Sequence, residues 1–240
     1  MLSLVFAWLG AAAFAASLVY FLYSYFFSFG VPPPSPADLR NTLVPIGIDV
    51  GLFTAFAVHH SLFARTRVKT IVRARTAPAL ERAFYTWVAS LLFVLVCVAW
   101  QPVPGVLYTL HGPLGWLGWS VQAAGVLFTF LGARALDVLD LAGVRPVLRS
   151  QHPDTAAVSQ VTLQTHGVYG LVRHPLYFGW VLLVFGAPHM TATRFTFAAV
   201  STLYVALAIP FEERGLDDTF GADYARYRTE VRWRMLPGLY

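Results

Sequence analysis

The residues whose types and spacing could do chemistry form two clusters in the last third of the sequence. Arg173-His174-Pro175-Leu176-Tyr177 stands in the string GVYGLVRHPLYFGW, and Glu212-Glu213 follows the apolar run LYVALAIPF. Proline suits the first position of a helix and steers the residue before it away from helical angles, so His174 is expected at a helix mouth. The first-turn amides of such a mouth, with Arg173 beside them, favour an anion such as a ligand carboxylate. Tyr177, one turn in, reaches the same pocket. The same five residues can equally be an interfacial anchor for a membrane span. Paired acids at the depth of Glu212 and Glu213 are costly unless they meet arginines, water or a cationic ligand. Arg173 or the arginines of the tail would satisfy them structurally, and the amino group and hydroxyls of a ligand would satisfy them functionally.

A third cluster lies in the tail. Leu216, Phe220, Tyr224, Tyr227 and Val231 recur at helical spacing, with Arg226, Arg228, Arg232 and Arg234 around them. Two readings stand: an amphipathic helix lying among headgroups, or a lid in which Tyr224, Tyr227 and Arg228 close over a ligand. Other candidates are thinner. His59 and His60 point about 100° apart around a helix, and no HExxH or His/Cys ligand set exists, so no metal site is expected. Asp49 within an apolar run must face the interior or snorkel outward, and Cys97, between Val96 and Val98, reads as filler. No GxSxG elbow, P-loop or dinucleotide fingerprint occurs.

The elements that must position these residues are membrane helices. Apolar side chains make up 57% of the 240 residues and charged ones 12%, against about 25% charged in an ordinary soluble domain. A single cysteine excludes a disulfide scaffold. Six apolar stretches, about 3–28, 43–63, 83–100, 114–136, 175–190 and 195–211, each come near the ~20 residues a helix needs to cross hydrocarbon. The last two, joined by a turn at Pro188 to Arg194, suggest a helical hairpin whose cytoplasmic ends carry His174 and the paired acids.

The expected fold is all-α: a polytopic bundle of five to six transmembrane helices with a cytoplasmic C-terminal amphipathic helix. Residues 1–240 read as one domain, with the polar, ligand-binding part at 137–240. The net charge of +5 reflects topology rather than a nucleic-acid surface. Arg65, Arg67, Lys69, Arg73, Arg75 and Arg82 crowd one turn, while the turn from Gln101 to Pro113 has no Lys or Arg. The positive-inside rule makes the first cytoplasmic and the second external, with both termini inside. The Pro32–Pro36 run becomes an external connector that cannot continue the first helix.

At these residues the chain resembles the superfamily of membrane methyltransferases that includes isoprenylcysteine carboxyl methyltransferase and phosphatidylethanolamine N-methyltransferase. An Arg-His-Pro-x-Tyr element followed some 35 residues later by Glu-Glu is its signature. Within it the sequence is most similar to the methanethiol S-methyltransferase family, through AVHHSLFAR, ALERAFYTWVASL, DLAGVRPV, GVYGLVRHPLYFG and EERGLDDTFGADYARYR. It departs from that family's pattern at His59, where glutamine is usual, and at His166, where proline is. The resemblance implies S-adenosylmethionine as cofactor. Tyr169, Arg173, His174, Pro175 and Tyr177 would line its methionine and ribose portions, Glu212 and Glu213 would fix its polar groups, and Tyr224, Tyr227 and Arg228 would close over the adenine.

It further implies a bacterial inner-membrane enzyme that methylates a small thiol, methanethiol to dimethyl sulfide, with the lipid bilayer as its surroundings. For a thiol acceptor the attacking species is the thiolate. Arg173 or a tail arginine such as Arg228 would favour it, and His174 or His60 would accept the proton. An isoprenylcysteine or lipid acceptor is the alternative within the class. An NADPH-dependent membrane reductase and a noncatalytic scaffold are the alternatives outside it.

Overall fold

The structure, a computed structural model, describes residues 1–64, 77–151 and 162–240. The basic turn's Arg65, Arg67, Lys69, Arg73 and Arg75 lie outside the described residues. The helices are α1 (Leu2–Tyr23), α2 (Leu39–Ala64), α3 (Glu81–Ala99), α4 (Gly112–Ala135), α5 (Val144–Gln151), α6 (Pro175–Phe185), α7 (Ala192–Phe220) and α8 (Ala222–Glu230). Two short strands, β1 (Val106–Thr109) and β2 (His189–Thr191), complete the main elements. Among the described residues five helical stretches, Leu2–Ser28, Leu39–Ser61, Pro78–Ala99, Gly112–Ala135 and Ala192–Phe220, are long and apolar enough to cross a membrane, which makes this an integral membrane protein. The chain divides into two compact units, Met1–Val103 with Asp137–Gln160, and Pro104–Leu136 with Val161–Tyr240.

In the first unit, aromatic contacts set the helix directions. Phe6 meets Phe84 and Trp87, Phe21 meets Phe93, and Phe29 meets Trp100, so α1 and α3 run parallel. Phe56 meets Phe93 and His60 meets Tyr85, so α2 runs against α3. Asp49 takes the interior option: it is fully buried, and its Oδ1 accepts the Gln101 N–H at 2.7 Å. The segment from Asp137, read from sequence as the start of the ligand-binding part, folds with this unit. α5 packs Val144 and Val147 on Ala7 and Ala83. Gly143 is needed for that approach, because its φ is +83° and a Cβ there would stand 2.5 Å from the Ala83 nitrogen.

In the second unit, α4 and α6 lie backbone to backbone. Gly118, Gly125 and Gly132 recur every seven residues on α4, as do Gly179 and Gly186 at the α6 side. A Cβ on Gly125 would come within 2.5 Å of the Leu183 nitrogen, and one on Gly179 within 2.7 Å of the Gly125 carbonyl oxygen. This is the small-residue contact by which membrane helices gain dispersion energy where lipid offers no hydrophobic drive. Leu176 sits at Gly132 and the Gly186 carbonyl at Gly118, so α6 runs antiparallel to α4, and its 11 residues rise about 16 Å.

α6 stops at Phe185, short of residue 190 where the apolar run ends, because Gly186 and Pro188 follow and proline lacks the N–H to extend the ladder. The expected tight helical turn is instead a β-ladder: β2 pairs antiparallel with β1, Tyr108 opposite Met190 and Thr109 opposite His189. Gln122 supports the stop, its Nε2 donating to the Leu183 carbonyl at 2.9 Å. Thr191 then caps α7, its hydroxyl accepting the Arg194 N–H at 3.1 Å.

α7 continues to Phe220, well past residue 211, so Glu212 and Glu213 lie inside a helix rather than at its end. Pro210, just before them, removes one rung of the helical ladder. Gly221, at φ +49°, breaks the tail into α7 and α8. The apolar stripe is therefore not one helix, although Leu216, Phe220, Tyr224, Tyr227 and Val231 still share one cluster, with Leu163.

Candidate functional site

All the residues of this site belong to the second unit. Pro175 opens α6, and His174 precedes it at φ −121° and ψ 67°, outside helical angles as proline demands. Four consecutive tail carbonyls hold the Arg173–His174 corner. The Arg173 Nη1 donates to Val231 O at 2.7 Å and Arg232 O at 2.9 Å, the Arg173 N–H to Trp233 O at 2.9 Å, and the His174 N–H to Arg234 O at 2.8 Å.

The paired acids meet this corner with different partners. Glu213 is buried; its Oε1 accepts from Arg173 Nε and Nη2 at 2.8 Å, and its Oε2 from Arg234 Nε at 3.1 Å. Its side chain is 5% exposed, beside Arg173 at 7%. Glu212 is 39% exposed and lies 3.5 Å from His174 Nδ1 through its Oε2. Its Oε1 accepts a short hydrogen bond from the Tyr177 hydroxyl. The imidazole of His174 stacks on the Tyr177 ring at 5.5 Å, and its Nε2 stands 3.6 Å from Glu213 Oε1. Burial pulls the His174 pKa down, but the carboxylates of Glu212 and Glu213 beside the ring outweigh it, so the imidazole titrates above its ordinary 6.5.

Tyr169 sits in the turn Gly167–Gly170, its hydroxyl reaching Gly132 O at 3.4 Å and its carbonyl accepting the Tyr227 hydroxyl at 2.7 Å. Burial pushes the Tyr227 phenol up to about 12. Tyr224 and Tyr227 are buried within the tail cluster rather than poised as a lid. Arg228 is engaged at the surface, donating to Asp217 at 2.9 Å and lying over the Tyr224 ring. His60 belongs to the first unit, where its Nδ1 and the Tyr85 hydroxyl share a short hydrogen bond. The structure thus brings Arg173, His174, Pro175, Tyr177, Glu212 and Glu213 together, with Tyr169 and Tyr227 bracing the corner. Arg234 and Tyr240 complete it. The sequence offered Arg234 only as one of several tail arginines, and nothing in the spacing marked Tyr240.

Two buried polar atoms of this cluster have no hydrogen-bond partner among the described residues: His174 Nε2 and the Tyr224 hydroxyl. Burial and the Glu213 charge raise the Tyr224 pKa, so the hydroxyl keeps its proton as a donor. Together with the half-exposed Glu212 they offer a cluster of donor and acceptor positions to a polar ligand. Among the described residues no group of three or more His, Cys, Asp or Glu is arranged to hold a metal ion.

Fold and site define a class: a polytopic helical membrane protein whose histidine-proline corner is clasped to paired glutamates and a folded-back tail. Comparison with known proteins gives the family. The chain is 33% identical over 226 residues to methanethiol S-methyltransferase 1 of Bradyrhizobium diazoefficiens, covering 92% of this chain and 79% of that protein. It is 31% identical over 231 residues to methanethiol S-methyltransferase 2 of the same organism, covering 95% and 87%. It is 32% identical over 234 residues to the methanethiol S-methyltransferase of Mycobacterium tuberculosis, covering 92% of each. This chain belongs to the methanethiol S-methyltransferase family. No family model matches it, and no solved structure matches it significantly.

Proposed function

We propose that this protein S-methylates methanethiol with S-adenosylmethionine, and that transfer occurs at the edge formed by Glu212, His174 and Tyr177. The observation that carries the reading is the unequal exposure of the two acids, 5% for Glu213 and 39% for Glu212. Glu213 is consumed by Arg173 and Arg234, while Glu212 keeps a half-exposed carboxylate beside an imidazole and a phenol. The Glu212 carboxylate fits the amino group of such a ligand as acceptor, and His174 Nε2 and the Tyr224 hydroxyl fit its carboxylate and ribose groups as donors.

When bound, S-adenosylmethionine supplies a methyl group on a positively charged sulfur, which an attacking thiolate takes as that charge is lost. The residues must therefore generate the thiolate, align it and keep water away. The charge of Arg173 is matched by Glu213, so Arg173 positions the corner rather than favouring the thiolate. His174, whose raised pKa favours the charged imidazolium, takes the cationic role. Glu212 is then the group that receives the thiol proton, with the Tyr177 hydroxyl holding its carboxylate in orientation.

The orientation we propose has both termini and this site on the cytoplasmic side, with α8 in the headgroup region. The antiparallel course of α6 on α4 supports it, because a short helix that still carries the chain back across the unit gives six passages, an even number. The absence of Lys and Arg between Gln101 and Pro113, where β1 lies, supports an external end there.

The test is a labelled-methyl assay of purified protein against methanethiol, hydrogen sulfide, a prenylcysteine and a phospholipid amine. Labelled dimethyl sulfide is the expected product. Methylation confined to the prenylcysteine or the lipid amine would replace the acceptor, and calorimetric binding of NADPH without S-adenosylhomocysteine would replace the reaction.

A further inference from the structure

We propose that Arg234, seated on the Tyr240 ring, is a positioning residue of the methyl-transfer site: it holds Glu213, and through Glu213 the Arg173–His174 corner, in the arrangement that receives the cofactor. The inference rests on the methyltransferase reading and adds to it a residue pair outside the Arg-His-Pro and Glu-Glu elements.

The chain of contacts has four links. Tyr240 folds back on the tail, its carbonyl accepting the Met235 and Leu236 N–H groups at 2.9 Å each. The Arg234 guanidinium lies 5.3 Å from the centre of the Tyr240 ring, and its Nη1 donates to the Tyr240 hydroxyl at 3.3 Å. Arg234 Nε donates to Glu213 Oε2 at 3.1 Å, which orients the carboxylate so that Oε1 faces Arg173. Arg234 also fixes the corner through its backbone, whose carbonyl accepts the His174 N–H.

Two further observations favour this role. Glu213 is buried with two cationic partners, so losing one leaves a buried carboxylate that must draw harder on Arg173 or move. Arg173 cannot move freely, because its Nη1 is committed to the Val231 and Arg232 carbonyls. The strain of losing Arg234 is therefore passed to the corner that carries His174. Arg234 is itself 37% exposed at its side chain, and a cation there is weakly held unless a ring covers one face. Tyr240 supplies that cover.

The experiment compares the full chain with its Arg234→Ala, Arg234→Lys and Tyr240→Ala variants in detergent, with Arg226→Ala, whose pair with Asp223 is at the surface, as control. S-adenosylhomocysteine affinity is read by calorimetry, backbone exchange at Arg173 and His174 by hydrogen–deuterium exchange, and the methanethiol KM at saturating cofactor by turnover. Arg234→Ala is expected to weaken S-adenosylhomocysteine about tenfold and to speed exchange at both amides. The methanethiol KM stays unchanged, and Arg234→Lys recovers part of the loss. Tyr240→Ala, which leaves every charged group in place, is expected to weaken binding about threefold and serves as the decisive variant if Arg234→Ala does not fold. Wild-type affinity and exchange in both Arg234→Ala and Tyr240→Ala, or in Tyr240→Ala alone where the other is unfolded, overturn the proposal and leave the methyltransferase reading intact. A wild-type protein that fails to bind S-adenosylhomocysteine overturns the reading itself.

Discussion

At the scale of single residues, the two adjacent acids have opposite work. Glu213 is a buried brace with both oxygens committed, and Glu212 is the carboxylate presented beside Tyr177 and His174. Arg173→Lys separates brace from chemistry. A lysine ammonium gathers its donors on one nitrogen and lacks the planar fork that reaches Glu213 and both carbonyls, so the variant is expected to lose about 2–3 kcal/mol of stability, read as a lower melting temperature in detergent. Unchanged melting would deny Arg173 its bracing role. His174 makes a pH prediction whose sign follows from its raised pKa. The folded state binds the proton more tightly than the unfolded chain, so the stabilisation is complete below the ordinary value of 6.5 and is lost as pH rises through the folded pKa. Melting temperature is therefore expected to fall as pH rises above about 6.5, and His174→Gln is expected to flatten that fall. A variant that keeps the wild-type pH slope would assign the slope to another group.

At the scale of elements, the glycine rows of α4 and α6 set how the second unit closes. Gly125→Ala would push a methyl against the Leu183 and Gly179 backbone, with an expected cost of about 2–3 kcal/mol. Gly47→Ala on α2, which meets nothing within 4 Å, is expected to be neutral or to stabilise by about 0.5–1 kcal/mol. Comparing the two melting temperatures checks the packing directly, and equal values would refute it. The sequence made the helices legible because membrane spans must be long and apolar, and Pro175 announced the start of α6. It did not make the ends of α6 and α7 legible. The apolar run after Phe185 continues without a break in hydropathy, yet Gly186 and Pro188 end the helix and His189–Thr191 pairs with Val106–Thr109. Past Pro210 the hydropathy drops while the helix goes on, because charged residues form helix as readily as apolar ones. The glycine period of seven was visible in the sequence and signals close helix contact, though not which helix is the partner. In the site, the joining of Arg173 and His174 to Glu212 and Glu213 followed from the hairpin idea. The division of labour between the acids, and the place of Arg234 and Tyr240, required the folded tail.

At the scale of the whole molecule, the five long apolar helices among the described residues and the shorter α6 make six passages if α6 completes its crossing. Reporter domains fused before Met1 and after Tyr240 are then expected to report the same side of the membrane, the cytoplasm. Opposite sides would mean that α6 enters and leaves by one face. An enzyme acting on a small volatile thiol has no need of a charged conduit, since such a substrate partitions into hydrocarbon, and the requirement is that the reacting edge be dry and fixed.

Glu212, half-exposed at the histidine-proline corner, is proposed to take part in transferring a methyl group to methanethiol. The most direct measurement is labelled dimethyl sulfide formation by wild-type and Glu212→Gln protein in matched membranes, with S-adenosylhomocysteine binding measured on both. The wild type is expected to form product and the variant to fall by about a hundredfold or more, with the cofactor product still bound. Turnover of Glu212→Gln at the wild-type rate would contradict that role.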